Sequence, residues 1–196
     1  MTIPPRRFLY VRHGETDWNA ESRAQGLSDI PLNARGRDQA RDAARILAGV
    51  PVAAIIASPL SRAHETATII AETLDLPVTI DEALREVSFG EREGATMAAW
   101  YEDWIDSRST PPGGESFDDL SARGAAAIAR HLAPTRFEDT PILFVAHGAL
   151  FRGIRRALGL SIHVRLANGA PLECRPTAEA WEIVLLQPGN TDAPTT

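Results

Sequence analysis

Two histidines in this chain stand in the same local setting. His13 and His147 each follow a run of apolar residues, Phe8-Leu9-Tyr10-Val11 with Arg12 in one case and Ile142-Leu143-Phe144-Val145-Ala146 in the other, and each precedes a glycine, Gly14 or Gly148. A glycine at that point lets the backbone turn sharply and presents the imidazole at the end of the strand. A neutral imidazole can attack an electrophile near pH 7, and Arg12, its neighbour in sequence, can neutralise anionic oxygens on the group attacked. One His-Gly pair would read as a histidine satisfied in a core, whereas two at equivalent strand ends point to a shared pocket. His131 and His163 lack this setting and read as surface or packing residues, and His64 is set apart from them only by its neighbour Arg62.

Such side chains converge only if the strands that carry them run side by side. Phe8 to Val11, Ile55-Ile56-Ala57 and Ile142 to Ala146 are continuous apolar runs, each ending in polar residues, and helical segments lie between and after them: Ala34 to Ala48 behind an Asn33 cap, Pro59 to Leu74, Ser116 to Leu132, and Ala149 to Leu158 closed by Gly159. Alternation of this kind predicts an α/β three-layer sandwich, a mostly parallel sheet with helices on both faces, whose ligands bind beyond the carboxyl ends of the strands. Arg12, His13, the Ser58 to Arg62 stretch and His147 would all gather there. After Gly159 come short strand-like pieces, Ile162 to Leu166, Leu172 to Cys174 and Trp181 to Leu186, expected to complete one edge of the sheet with an antiparallel member. Those edge strands could pair two copies in a homodimer.

The 196 residues fit one domain spanning 1–196, with a substrate cover over about 87–115 and a frayed tail over 188–196. With 44% hydrophobic and 23% charged residues the composition is that of a folded globular chain. The formal charge of -6 argues against a nucleic-acid or anionic-membrane partner, and no apolar run is long enough for a signal segment or a span. A lone Cys174 excludes an internal disulfide and any multi-cysteine zinc site and fits a reducing cytoplasm. All 20 basic residues are arginine, which forbids Schiff-base chemistry and a phosphate-loop lysine. Trp100, Tyr101 and Trp104 fall at helical spacing and read first as cover packing, with substrate contact as the alternative.

Taken in order, the polar blocks carry a family resemblance. Phe8 to Asn19, with Arg12-His13-Gly14-Glu15-Thr16 at its centre, resembles the opening signature of the histidine phosphatase superfamily, the phosphoglycerate-mutase-like proteins. Gln25 to Asn33 with Gly36 and Gln39-Ala40 is similar to the next block, and Ala57-Ser58-Pro59-Leu60-Ser61-Arg62-Ala63 with Thr66-Ala67 to the second arginine block. Leu84-Arg85-Glu86 with Gly90 and Glu93-Gly94 looks like the acid-residue block, Pro112 to Ser116 like a phosphatase-branch segment, and Val145 to Gly148 with Arg152 like the second histidine block. The similarity spans about residues 8 to 186.

The resemblance implies His13 as a nucleophile that becomes a phosphohistidine. It implies Glu86 as the acid that protonates the leaving alkoxide and then activates water, and Arg12, Arg62 and His147 as the groups that neutralise the phosphoryl oxygens. Asn19, Gly14, Thr16 and Gly148 would contact the substrate or shape the loop around His13, with neither metal nor cofactor involved. The implied activity is that of a histidine acid phosphatase-type phosphoric monoester hydrolase acting on a small phosphorylated metabolite. Two alternatives stand beside it: a phosphoglycerate mutase-type transfer, and a non-catalytic member that binds a phosphorylated ligand. The chain lacks the arginine-rich insertion after the acid block with which mutases hold a second phosphate, and it retains His13, Arg62 and His147, whose loss would mark a non-catalytic member. Glu82, Glu91 and Glu93 compete with Glu86 for the acid role by proximity alone.

Overall fold

A computed structural model describes residues 2–133 and 140–188, and places six strands in one sheet of order β3-β2-β4-β1-β5-β6. The central strands β1 (Phe8–Arg12), β2 (Ala54–Ala57) and β4 (Ile142–Ala146) are parallel to one another, as is the short edge strand β3 (Val78–Ile80). β5 (Pro171–Pro176) and β6 (Trp181–Leu185) extend the other side antiparallel, the member that the sequence anticipates. Ile162 to Leu166 is a correction. It forms no strand but crosses as a loop, held where Ile162 and Leu166 give their carbonyls to arginine side chains.

Alternation along each central strand sends residues to two different cores. Leu9, Val11, Ile55, Ala57, Leu143 and Val145 pack with α2 (Ala34–Leu47) and α3 (Ser61–Leu74). Phe8, Tyr10, Ile56, Phe144 and Ala146 face α5 (Phe117–Leu132) and α6 (Gly148–Ala157) on the opposite side. Asn33 caps α2 as expected and Ser116, the first residue of the expected helix, caps α5, each accepting from a backbone N–H three residues on. Two short helices complete the chain, α1 (Asp17–Ala20) directly after the His13 loop and α4 (Ala99–Ile105) in the expected cover. Trp104 is fully buried there, edge-on to Phe89 and Phe117. Of the expected tail, residues 189–196 lie outside the described residues.

The register sets the site. Arg12 pairs with Ala146 and Ala57 with Val145, so the three parallel strands end level with one another. The residues that follow them are His13, His147 and Ser58. The His13 N–H continues the ladder to the Ala146 carbonyl at 2.9 Å, and Ser58 N–H does the same to Val145 at 3.1 Å. β1 and β4 are neighbours although 129 residues of sequence lie between the end of one and the start of the other, which opens a crevice at the point where the strand order reverses.

Candidate active site

The crevice is a cavity of about 680 Å³ whose wall includes Arg12, His13, Asn19, Arg62, Glu86 and Gly148. His13 is almost fully buried, and its Nδ1 lies 2.7 Å from the Gly14 carbonyl. A carbonyl only accepts, so Nδ1 carries the proton and Nε2 keeps its lone pair. Burial first, then the charges of Arg62 and Arg12, hold the His13 imidazole well below its usual pKa. The ring is therefore neutral at pH 7, with Nε2 free to attack.

His147 lies behind it, fully buried, with ring centroids 5.3 Å apart. Its Nε2 is 2.7 Å from the Ser58 hydroxyl, which already accepts the Leu60 N–H at 3.3 Å. The Ser58 proton has His147 Nε2 as its acceptor, which assigns the His147 proton to Nδ1. Burial, then Arg62, His13 and Arg12, push the His147 pKa well down, so it too is a neutral ring with one N–H.

Beside His13, three buried donors have no partner among the described residues: Arg12 Nε, Arg62 Nε and His147 Nδ1. Their side chains are otherwise firmly held. Arg12 donates to the Leu166 carbonyl at 2.7 Å, and Arg62 to Ser28 and Gly26 carbonyls at 2.9 and 2.8 Å. Burial pushes the Arg62 guanidinium down to about 10, which leaves it a cation at neutral pH. Leaving three buried donors unmet is expensive unless an anion completes them. Asn19 adds a fourth, because its Oδ1 already accepts from Thr16 N–H at 3.3 Å and from Asn168 Nδ2 at 3.1 Å, which leaves its own amide N–H groups to face the cavity.

Glu86 is the one buried carboxylate of its neighbourhood. Its Oε1 accepts from Leu150 N–H at 2.9 Å and Val87 N–H at 3.1 Å, and Oε2 from Ala149 N–H at 3.0 Å, so the start of α6 fixes it against the cavity. Glu82 and Glu91 are exposed, and Glu93 is spent on the Leu27 and Ser28 N–H groups and the Ser28 hydroxyl. Glu93 thereby steadies the loop whose carbonyls hold Arg62.

Two of the expected substrate contacts are placed elsewhere. Gly14 and Thr16 are absent from the cavity wall. A Cβ on Gly14 would meet the Gly36 carbonyl oxygen at 2.2 Å, so the glycine is required by the close approach of the α2 backbone. Thr16 is fully buried and caps α1, with its hydroxyl donating to Gln25. Both shape the loop around His13. Gly148 does line the cavity, and a Cβ there would stand 3.1 Å from Arg12 Nε.

Other residues were not singled out by the sequence. Asn168 Nδ2 donates to the His13 carbonyl at 2.9 Å as well as to Asn19, and its only signal was a polar residue before Gly169 in a positive-φ turn. Arg123 grips both Glu115 carboxylate oxygens at 2.9 and 2.7 Å and donates to the Ala83 and Arg85 carbonyls, clamping the segment that leads to Glu86. Tyr101 lines the cavity where cover packing was the first expectation for it. Among the described residues, no group of three or more His, Cys, Asp or Glu side chains could hold a metal, and no helix is long and apolar enough to cross a membrane.

A glucosyl-3-phosphoglycerate phosphatase of Mycobacterium tuberculosis is 36% identical over 170 residues, covering 78% of this chain and 75% of its own. A 2,3-bisphosphoglycerate-dependent phosphoglycerate mutase of Gloeobacter violaceus is 36% identical over 159 residues, covering 75% and 73%. The solved structure of a mycobacterial glucosyl-3-phosphoglycerate phosphatase in complex with VO3 superposes with a TM-score of 0.79 at 31% identity, covering 92% of this chain and 97% of that one. The model of the histidine phosphatase superfamily, branch 1, matches residues 8–187, and the chain belongs to that superfamily.

Proposed function

We propose that the protein is a metal-independent phosphomonoesterase that acts through a phosphohistidine on a small phosphorylated metabolite. The observation that carries this reading is the convergence of buried, unmet donors on a neutral His13. Arg12 Nε, Arg62 Nε and His147 Nδ1, with the Asn19 amide, are the donor set that a phosphoryl group in transfer requires on its equatorial oxygens. The arginines supply the charge neutralisation that a metal ion supplies in other phosphoryl-transfer sites.

In the first step His13 Nε2 forms a bond to phosphorus as the ester P–O bond breaks. The Gly14 carbonyl steadies the Nδ1–H that becomes charged, and Glu86 gives a proton to the departing alkoxide. Three of the four lone-pair positions of the Glu86 carboxylate are met by backbone N–H groups, so the proton belongs on the remaining position of Oε2. In the second step the same carboxylate, now ionised, takes a proton from water as the water oxygen attacks phosphorus and the P–N bond to His13 breaks.

The test is a panel of phosphorylated metabolites assayed with EDTA present. Phosphate release that survives chelation supports the reading, and a stoichiometric metal requirement overturns the metal-independent part of it. His13→Ala should abolish turnover and the acid-labile, base-stable phosphate label, and a label that survives would refute the nucleophile. A mutase-type transfer is the second reading, favoured by the 36% identity to the Gloeobacter enzyme. Migration of the phosphate within phosphoglycerate, in place of its release, would establish that alternative.

A further inference from the structure

His147 begins α6, yet its imidazole is engaged with Ser58, so the helix starts without a side-chain cap. The sheet gives its backbone no support either. The His13 N–H to the Ala146 carbonyl and the Ser58 N–H to the Val145 carbonyl are ladder bonds on the two sides of β4, and both stop short of His147.

What holds the His147 backbone is Tyr10, on the neighbouring strand β1. The Tyr10 hydroxyl donates to the His147 carbonyl at 2.8 Å and accepts the His147 N–H at 3.1 Å, so both backbone groups of one residue close on a single oxygen. The carbonyl also accepts the first helical bond, from Phe151 N–H at 3.2 Å. Nothing else in the core calls for that oxygen. Tyr10 is fully buried in the core between the sheet and α5 and α6, opposite Phe144 in register and stacked on Phe151 with ring centroids 4.3 Å apart, where a phenylalanine would pack the same ring. Burying a phenol oxygen is costly unless it is bonded, and both bonds described for it go to His147. Burial, then the charge of Glu86, raises the hydroxyl well above the ordinary tyrosine pKa, so it stays protonated and keeps donating.

Two parts of the proposed reaction project from this joint between β4 and α6. His147 Nδ1 is one of the unmet donors, and the N–H groups of Ala149 and Leu150, two and three residues on, hold Glu86. A shift of the joint displaces both.

We propose that Tyr10 is a positioning residue, whose hydroxyl fixes the His147 backbone so that Nδ1 meets the phosphoryl group in transfer. The inference rests on the phosphomonoesterase reading above and adds to it a side chain that is absent from the cavity wall and acts only through His147 and the helix it begins.

The test is a double-mutant cycle on single-turnover phosphorylation by p-nitrophenyl phosphate, whose leaving group needs no proton, so Glu86 drops out of the comparison. Tyr10→Phe keeps the ring and removes only the oxygen. It should slow phosphorylation about 10-fold while substrate affinity changes less than about 2-fold, since the misplaced donor is needed most in the transition state. In a His147→Ala background, which leaves no imidazole to position, the same change should cost less than about 2-fold. The fall in melting temperature should persist in both backgrounds, because the backbone bonds are lost in each. Should Tyr10→Phe fail to fold, Phe151→Leu loosens the tyrosine ring and keeps its hydroxyl, and its smaller rate loss should likewise vanish with His147→Ala. Equal fold-losses in the two backgrounds, or a lowered melting temperature with no loss of rate, would make the hydroxyl purely structural and overturn the proposal while the phosphomonoesterase stands. Absence of any nitrophenolate burst from the unmodified protein refutes the phosphomonoesterase reading and the positioning role with it.

Discussion

Asn168 and Asn19, 149 positions apart in sequence, meet amide to amide, with Asn168 Nδ2 3.1 Å from Asn19 Oδ1. The contact decides which end of the Asn19 amide faces the cavity, because an oxygen that already accepts two hydrogen bonds stays turned inward. The same Asn168 nitrogen holds the His13 carbonyl at 2.9 Å, so one side chain orients both the proposed nucleophile's backbone and a proposed phosphoryl ligand.

Asn168→Ala should therefore lower kcat/KM by roughly 10-fold without unfolding the chain, since one neutral hydrogen-bonding group is lost at each end. Asn168→Asp should be worse, because a carboxylate would face two acceptor oxygens with no proton to offer. Steady-state kinetics with thermal melts as control check this, and an Asp variant more active than the Ala variant would refute it.

Ser58 should act through His147. With the Ser58 hydroxyl donating to Nε2, the His147 proton stays on Nδ1. Ser58→Ala frees the ring to take the other tautomer, and kcat should fall about 10-fold or more while KM changes little, as expected for a donor needed most in the transition state. Ser58→Thr should recover part of the rate. Loss confined to KM would show that the hydroxyl only supports binding.

Glu86 can be separated from a mere phosphate ligand by leaving-group chemistry. Glu86→Gln should slow single-turnover phosphorylation by alkyl phosphates about 10²-fold or more and that by p-nitrophenyl phosphate much less, because nitrophenolate leaves without a proton. The structure adds a second effect. Gln can offer one oxygen to three backbone N–H groups that now share two, so an amide N–H must face the Ala149 or Leu150 N–H. The variant should also melt earlier, by an amount common to both substrates. Equal losses of phosphorylation rate for both leaving groups would mark Glu86 as structural.

Stability should fall in mild acid. The folded pKa values of His13 and His147 lie below those of the unfolded chain, so the unfolded state binds protons that the native state refuses. The stability is whole above an unfolded His pKa of about 6.5 and is lost as pH falls from there toward the folded values, by up to about 1.4 kcal/mol per pH unit for each ring. Urea unfolding at several pH values between 7.5 and 5.5 measures the slope. His13→Ala should remove about half of it, and a flat profile in the unmodified protein would contradict the burial argument.

Much of this was legible in the one-dimensional text. Apolar runs of four or five residues that stop at His13, Ser58 and His147 gave both the parallel centre of the sheet and the edge where the site lies, because a doubly covered strand must be apolar throughout and its polar exit must face the crevice. Asn33 announced its helix through a short-range hydrogen bond that sequence spacing alone determines. β3 was not legible, since Val78–Ile80 is half exposed and holds its place only by pairing with β2. The resemblance already preferred Glu86 to its acidic neighbours, but only the tertiary structure shows what sets it apart physically, burial against the N–H groups of α6 more than 60 residues away. Tertiary structure alone moved Gly14 and Thr16 from the cavity wall into the loop's own packing, through the approach of Gly36 and the partner Gln25. Asn168, Arg123 and Arg152 belong to the same class. What each does depends on which carbonyls and carboxylates the folded chain brings within about 3 Å of it, and no local pattern encodes a partner that distant.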